Sequence, residues 1–425
     1  MKLLGKYSIG IGDRFGKQGD AQLSAFITAL NNGVEIAPVW NKSNREHTTI
    51  GSAPGDVRIE ADNAVSKAGF TKAYFVDADH INLETVDKFI ESSDFFTIDV
   101  AKYIGQKAEE EAVKKFINEV DKHKGIFGIA GNEFSFPVSR VNSVAIAEKY
   151  LQSVLKASEV YGKIENLKGK GNFVTEISMD EVPEPQSPAE LFYILWMLAC
   201  EKIPVQTIAP RFSGRFNKGV DYVGNPLKFA GEFESDLMAI DLAVKEFGLP
   251  ENLKISIHSG SDKFSIYPYI GSLTKKHSKG FHLKTAGTTW IEEIIGLAVA
   301  GGEALKFVKE IYCESLDKIE ELCAPYSDVI DINPSMLPTK NELLRWSGDE
   351  FADALIHVPG KKACNPAMRQ LVHVSYKLAA QRIEEYNSLL ESNKDILEER
   401  VFDNIYNKHI CRLFGLENIG MTGRD

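Results

Sequence analysis

Tyr74-Phe75-Val76-Asp77-Ala78-Asp79-His80 is a short apolar run that turns abruptly into two carboxylates and an imidazole. Period-2 alternation puts Asp77 and Asp79 on one face of a strand, with His80 at its carboxyl end where a loop begins. Packing gives no reason for three ionisable groups at the end of an apolar strand, whereas in barrel enzymes the strand C-terminus is where chemistry sits. The plainer reading is an N-cap aspartate and a solvated loop histidine ahead of a helix starting at Leu83.

The same rhythm extends in both directions. Upstream, residues 7–12 read as a strand closing on Asp13-Arg14, followed by a helical pattern through Ala21, Leu23, Phe26, Ile27 and Leu30 that stops at Gly33. A second strand over 34–40 opens into the polar loop Asn41-Lys42-Ser43-Asn44-Arg45-Glu46-His47. Downstream, the spacing predicts a helix over 83–90 and a fourth strand over 95–99, again closed by a carboxylate, Asp99. Between 101 and 170 the rhythm stretches. A helix to about 120, an apolar run over 126–130, a polar turn at Gly131-Asn132-Glu133 and a helix over 144–161 read as an insertion in one βα loop. Strands resume at 173–177, carrying Glu176, then at 205–209 ahead of Arg211, Arg215 and Lys218, at 253–258 ending in His258, and at 281–285 with His282 and Lys284. Ser187-Pro188-Ala189-Glu190 is a capping box with proline at the first helical position.

Eight strands alternating with helices, with no GxGxxG and no Walker sequence, predict an α/β fold: a (β/α)8 TIM barrel rather than an open doubly wound sheet. The barrel is expected over 1–335, with the insertion at about 101–170, and a helical C-terminal extension over 336–425. Its longest helical stretch, 366–399, carries one buried stripe at Leu371, Val374, Leu378 and Ile383. This extension is expected to cover the barrel wall or a homo-oligomer interface, and its histidines His357, His373 and His409 read as packing or surface residues.

Composition narrows the function classes. At 425 residues, 44% hydrophobic and 26% charged, the chain is a globular protein with a large core. No run approaches the roughly 18 apolar residues of a membrane span, and residues 1–6 lack a signal-peptide core, so a cytoplasmic protein without a membrane partner is expected. A net charge of −11 argues against a nucleic-acid partner. Five cysteines without a CxxC pair read as reduced packing thiols. An anionic small-molecule substrate would need a local basic cluster.

A barrel gathers the strand ends at one mouth, here Asp13, Arg14, Lys42, Asp77, Asp79, His80, Asp99, Glu176, Arg211, His258 and Lys284. Two histidines among carboxylates suit a divalent metal, with zinc, manganese, cobalt, nickel and iron all compatible. The plainer reading is an ion-pair network closing the barrel top.

Asp79-His80 and His258-Ser259-Gly260-Ser261 resemble the Asp-His and His-Gly-Gly-Ser elements of class II, metal-dependent sugar aldolases. The resemblance implies Asp79 as acid/base and His80 and His258 as metal ligands. The third histidine of that family has no counterpart after strand six, where Asp221 stands as the expected substitute, with Glu176 and His282 as alternatives. A wider likeness, carried by Val39-Trp40-Asn41-Lys42-Ser43-Asn44-Arg45-Glu46-His47-Thr48, Val76-Asp77-Ala78-Asp79-His80 and Arg211-Phe212-Ser213-Gly214-Arg215-Phe216-Asn217-Lys218-Gly219-Val220-Asp221-Tyr222, is to the tagaturonate epimerase family. It implies interconversion of the sugar acids tagaturonate and fructuronate. The inverted carbon of these keto acids is not next to the carbonyl, so a retro-aldol step is expected. A metal would polarise the ketone, Asp79 would remove the hydroxyl proton, Glu176 would return one, and Arg14, Lys42, Arg211 and Lys284 would hold the substrate carboxylate. The alternatives are a metal-dependent sugar isomerase or epimerase working by proton transfer next to the carbonyl, a class II-type aldolase, and a non-catalytic sugar-acid binding protein.

Overall fold

Eight parallel strands close on themselves in chain order: β1 (Tyr7–Gly12), β2 (Ala37–Ser43), β3 (Phe75–Ile81), β4 (Phe95–Asp99), β5 (Val174–Ser178), β6 (Thr207–Ala209), β7 (Lys254–Ile257) and β8 (Phe281–Leu283). The ring is sealed by β8 pairing with β1 through Tyr7 with Phe281, Ser8 with His282 and Ile9 with Leu283. The computed structural model describes residues 2–123, 125–128, 135–285, 287–359 and 362–419. The predicted (β/α)8 barrel is therefore the fold. No described helix is long and apolar enough to cross a membrane.

Alternation along the strands sorts side chains between two environments. Ile9, Ile11, Trp40, Val76, Phe96, Ile98, Ile177, Ile255 and Ile257 pack outward against the helices in the main core. Leu4, Ala37, Val39, Phe75, Phe95 and Val174 form a separate apolar plug. Further along β3, β4 and β5 the positions in step with that plug change to Asp77, Thr97 and Glu176, all buried. Gly10 has a steric reason to be glycine, because a Cβ there would collide with the Lys284 carbonyl where β1 meets the end of β8.

The insertion carries helix Glu110–Val120, an antiparallel pair of strands, Gly125–Gly128 with Ser135–Val138, and helix Arg140–Lys168. The turn predicted at Gly131-Asn132-Glu133 lies outside the described residues. After β3, where a helix was expected over 83–90, the chain makes only the 3₁₀ turn Val86–Lys88.

The expected long helix over 366–399 is four: Pro366–Val374, Tyr376–Ala380, Ile383–Ser392 and Lys394–Asp403. The first break has a tertiary cause. The Val372 carbonyl accepts from Trp290 Nε1 at 2.7 Å and from Ser375 Oγ at 2.8 Å, and the His373 carbonyl accepts from Arg14 at 2.9 Å. Trp290 and Arg14 at the barrel top, with the cap residue Ser375, thus take up the terminal carbonyls in place of a further helical turn. These helices share a second hydrophobic core with helix Thr289–Ala300. The C-terminal segment does more than cover the wall, since His373 reaches the barrel mouth and His409, beyond the fourth helix, is completely buried behind it.

Candidate active site

A cavity of about 1070 Å³ opens at the carboxyl ends of the strands. Asp13, Arg14, Lys42, Asp79, His80, Asp99, Arg211, His258 and Lys284, all expected at the mouth from sequence, line it, together with Asp180, Lys218 and His373. Asp77 and Glu176 are buried beneath this surface and Asp221 is not part of it.

Two histidines face each other across the cavity floor, their ring centroids 5.0 Å apart. His80 lies near the end of β3, where the register with β4 shifts between Ala78 and Ile81, and its own backbone is left-handed at φ 51°. Its Nδ1 is 2.7 Å from Asp79 Oδ1. His258 Nε2 is 2.9 Å from Glu176 Oε1. Each ring is thus held at one nitrogen by a carboxylate, which turns the other inward. His80 Nε2 and His258 Nδ1 lie 3.8 and 3.0 Å from Asp180 Oδ1, yet neither buried nitrogen is aligned as a hydrogen bond. Ser178 Oγ steadies Asp180 by donating to Oδ1 at 2.5 Å.

The charges are mutually dependent. Burial works to lower His258, but Asp180 and Glu176 outweigh it and push the ring up to about 9. Burial opposes His80 in the same way, and Asp79 and Asp180 hold it well above the ordinary histidine range. Asp180, against the pull of burial, is held well below the carboxylate range by His258 and His80. Behind them Lys284 Nζ contacts Asp77, Thr97 Oγ1 and, at 3.3 Å each, Asp79 and Glu176. Burial disfavours its charge, but Asp77, Glu176 and Asp79 keep it protonated.

His80, Asp180 and His258 offer one ligand atom each within 4.8 Å of one another, a grouping that could hold a metal ion. The fit is chemical as well as spatial: two orphaned imidazole nitrogens and a carboxylate converge, and each imidazole is braced from behind by a second carboxylate, as metal-ligating histidines generally are. Asp221, expected from sequence as third ligand, is engaged elsewhere. Its Oδ1 accepts from the Ser265 hydroxyl and backbone N–H at 2.9 and 3.1 Å and from the Tyr222 N–H at 2.7 Å. His282, the other alternative, is tied to Ser8 Oγ at 3.0 Å. Burial first, and then Lys284 and His258, lower it to about 3. Asp180 was missed because it lies beyond the strand, in a loop of mixed polar residues. The available signal was an acid four residues after Glu176, just past the end of β5.

The basic residues divide into committed and free. Arg14 is committed: it pairs with Glu46 at 3.2 Å, bonds the His373 carbonyl and ring nitrogen at 2.9 Å, and lies over the Tyr376 ring. Lys284 is committed to the buried carboxylates. Lys42, Arg211 and Lys218 line the cavity, and their side chains make no ion pair among the described residues. Burial first, and then Arg45 and Arg14, hold Lys218 below its usual value.

A barrel whose strand ends converge two histidines, carboxylates and unpaired cations in one cavity is an enzyme fold carrying a site for a small anionic molecule. The chain belongs to the tagaturonate epimerase family, whose model matches residues 2–416. It is 27% identical over 426 residues to the tagaturonate/fructuronate epimerase of Thermotoga maritima, a match covering 96% of this chain and 81% of that one. It is also similar to crystal structures of the fructuronate-tagaturonate epimerase UxaE from Cohnella laeviribosi. The native form superposes with a TM-score of 0.79 at 25% identity, covering 98% of this chain and 83% of that one. The form with one glycerol gives the same score and identity over 97% and 82%.

Proposed function

We propose that this chain interconverts tagaturonate and fructuronate by breaking and remaking one carbon-carbon bond, with a divalent metal held by His80, Asp180 and His258. The observation that carries the reading is the convergence of His80 Nε2 and His258 Nδ1 on Asp180 beside Lys42, Lys218 and Arg211. A metal bound there would act as a Lewis acid toward the substrate carbonyl. The likeness of Asp79-His80 and His258-Ser259-Gly260-Ser261 to the aldolase elements supports the same chemistry.

Lys42, Lys218 and Arg211 would anchor the carboxylate, which an acidic protein must bind by local contacts. Asp79 is the acid/base we assign. It lines the cavity, and among the described residues its Oδ1 is engaged by His80 and Lys284 while no contact reaches Oδ2, which is left to a substrate hydroxyl. In the forward step Asp79 takes the hydroxyl proton, the adjacent carbon-carbon bond breaks with its electron pair moving to the carbonyl fragment, and an aldehyde forms. After the aldehyde presents its other face the bond reforms and Asp79 returns the proton. Glu176 is reassigned: without exposed surface and bonded to His258, Thr97 and Lys284, it orients His258 rather than reaching substrate.

The test is conversion of tagaturonate followed by NMR, with metal content measured on the same sample. Chelation should abolish turnover and leave the circular dichroism unchanged, because the barrel has its own large core. Full turnover after metal removal, or no conversion of tagaturonate by metal-replete protein, would overturn the proposal.

A further inference from the structure

The loop that leaves β7 carries His258 and then three consecutive residues with left-handed backbones, Gly260, Ser261 and Asp262, at φ 59°, 68° and 55°. Two of them are not glycine, and such conformations persist only where the surroundings over-determine them. The surroundings here come from the C-terminal helices.

Arg369, 1% exposed, donates through Nη2 to Asp262 Oδ2 at 2.5 Å and to Thr288 Oγ1 at 3.1 Å, and its other donors bond the Gly219 and Leu355 carbonyls. His409 sits in a π-helix, Asn404–Ile410, buried along its whole length. Its Nε2 lies 3.3 Å from the Asp262 N–H and 3.1 Å from the Gly287 N–H, both of which can only donate, so Nε2 is the acceptor. The proton is therefore on Nδ1, 2.7 Å from the Asn404 carbonyl within the π turn. Single π turns recur at functional sites. This one lets a single imidazole grip the loops that follow both β7 and β8.

We propose that the Arg369–Asp262 pair and the ring of His409 are positioning groups for His258: they hold the left-handed turn that aims its imidazole at Asp180. The cobalt readout below rests on the metal reading given above; the inference about ring position does not.

The experiment compares wild type with Arg369→Met in the full chain. Cobalt(II) affinity is followed by visible absorption, turnover by the tagaturonate assay, and the His258 ring by ¹H–¹⁵N correlation, assigned with His258→Asn. Arg369→Met should weaken cobalt binding by about 10–100-fold, the usual cost of removing an outer support of a metal ligand, and move the His258 resonance. It should lower kcat more than it raises KM. Arg369→Lys, which keeps a cation for Asp262, should recover most of the cobalt affinity. If Arg369→Met does not fold, His409→Phe, which fills the space without an acceptor, is measured instead with the same expectation. A folded variant with wild-type cobalt affinity and an unmoved His258 resonance would overturn the proposal, whatever its melting temperature. Wild-type protein that binds no cobalt would defeat the metal reading, and the His258 resonance would still decide the clamp.

Discussion

Glu176 Oε1 stands 2.9 Å from His258 Nε2 with no surface of its own exposed, so the acid nearest that ring faces the protein interior and not the cavity. It shares that interior with Thr97 and Lys284. Glu176→Gln keeps the shape and removes the charge. It should lower metal affinity and turnover together, by about 10–100-fold, because the ring it steadies is one of the three ligands we propose. A variant that retains full metal content while losing turnover would instead return Glu176 to direct proton transfer.

Asp180 and Asp221 make opposite predictions. Asp180→Ala should lose bound metal, whereas Asp221→Ala should retain it and cost stability on the order of 1 kcal/mol, the worth of a hydrogen bond such as the one Asp221 accepts from the Ser265 hydroxyl. Metal analysis and thermal unfolding of the two variants check this. Equal metal loss in both would show that Asp221 reaches the site.

Much of this was readable in the chain and some was not. The bounds of β1 and β4 coincide with the sequence reading because Gly12-Asp13 and Asp99 punctuate apolar runs, and the Ser187 capping box forms as expected, with Glu190 bonding back to the Ser187 N–H at 2.7 Å. His80 and His258 were legible because strand ends of a barrel meet. Asp180 was not, since its importance comes from where the β5 loop folds and not from any local pattern. The break at Ser375 was hidden for a similar reason: the residues that take the helix's carbonyls, Trp290 and Arg14, are distant in sequence. Arg369 lies within an ordinary amphipathic helix, and nothing local shows that it bonds Asp262.

Lys42 and Lys218 differ from Arg14 in that their side chains make no ion pair or hydrogen bond among the described residues. Lys218→Met should therefore raise KM for tagaturonate by about 10-fold or more with a smaller change in kcat, the signature of lost uniform binding. Arg14→Met, by contrast, removes bonds to Glu46 and His373 and should lower thermal stability as well. Steady-state kinetics of the lysine variant with an unchanged KM would exclude it from carboxylate recognition.

The metal-free protein should carry a pH signature of His258. The ring's pKa is about 9 in the fold against roughly 6.5 in an unfolded chain. Its contribution to stability is fully present below about pH 6.5 and is lost as pH rises toward 9, on the order of a few kcal/mol. The melting-temperature advantage of metal-free wild type over His258→Asn should accordingly shrink across that window. Metal affinity should rise over the same range, because the ligand must be neutral. A difference between the two proteins that does not vary with pH would contradict the charge assignment.

The mechanism itself is decided by the hydrogen on the inverted carbon. If the bond next to that carbon breaks, its hydrogen stays on the aldehyde fragment through the turn and the re-closure, and only the hydroxyl proton passes through Asp79. Tagaturonate deuterated at that carbon should then give fructuronate with the label intact. Asp79→Asn, which cannot take up the hydroxyl proton, should slow the conversion by about 10²–10⁴-fold while retaining metal, since the amide oxygen can still accept from the His80 ring. Running the reaction in the presence of a reagent that traps aldehydes should divert part of the flux in wild type. Deuterium appearing in water at the rate of epimerisation would mean that a base removes it directly. Asp79 would then be acting on carbon, and the isomerase-type alternative would replace the aldol route.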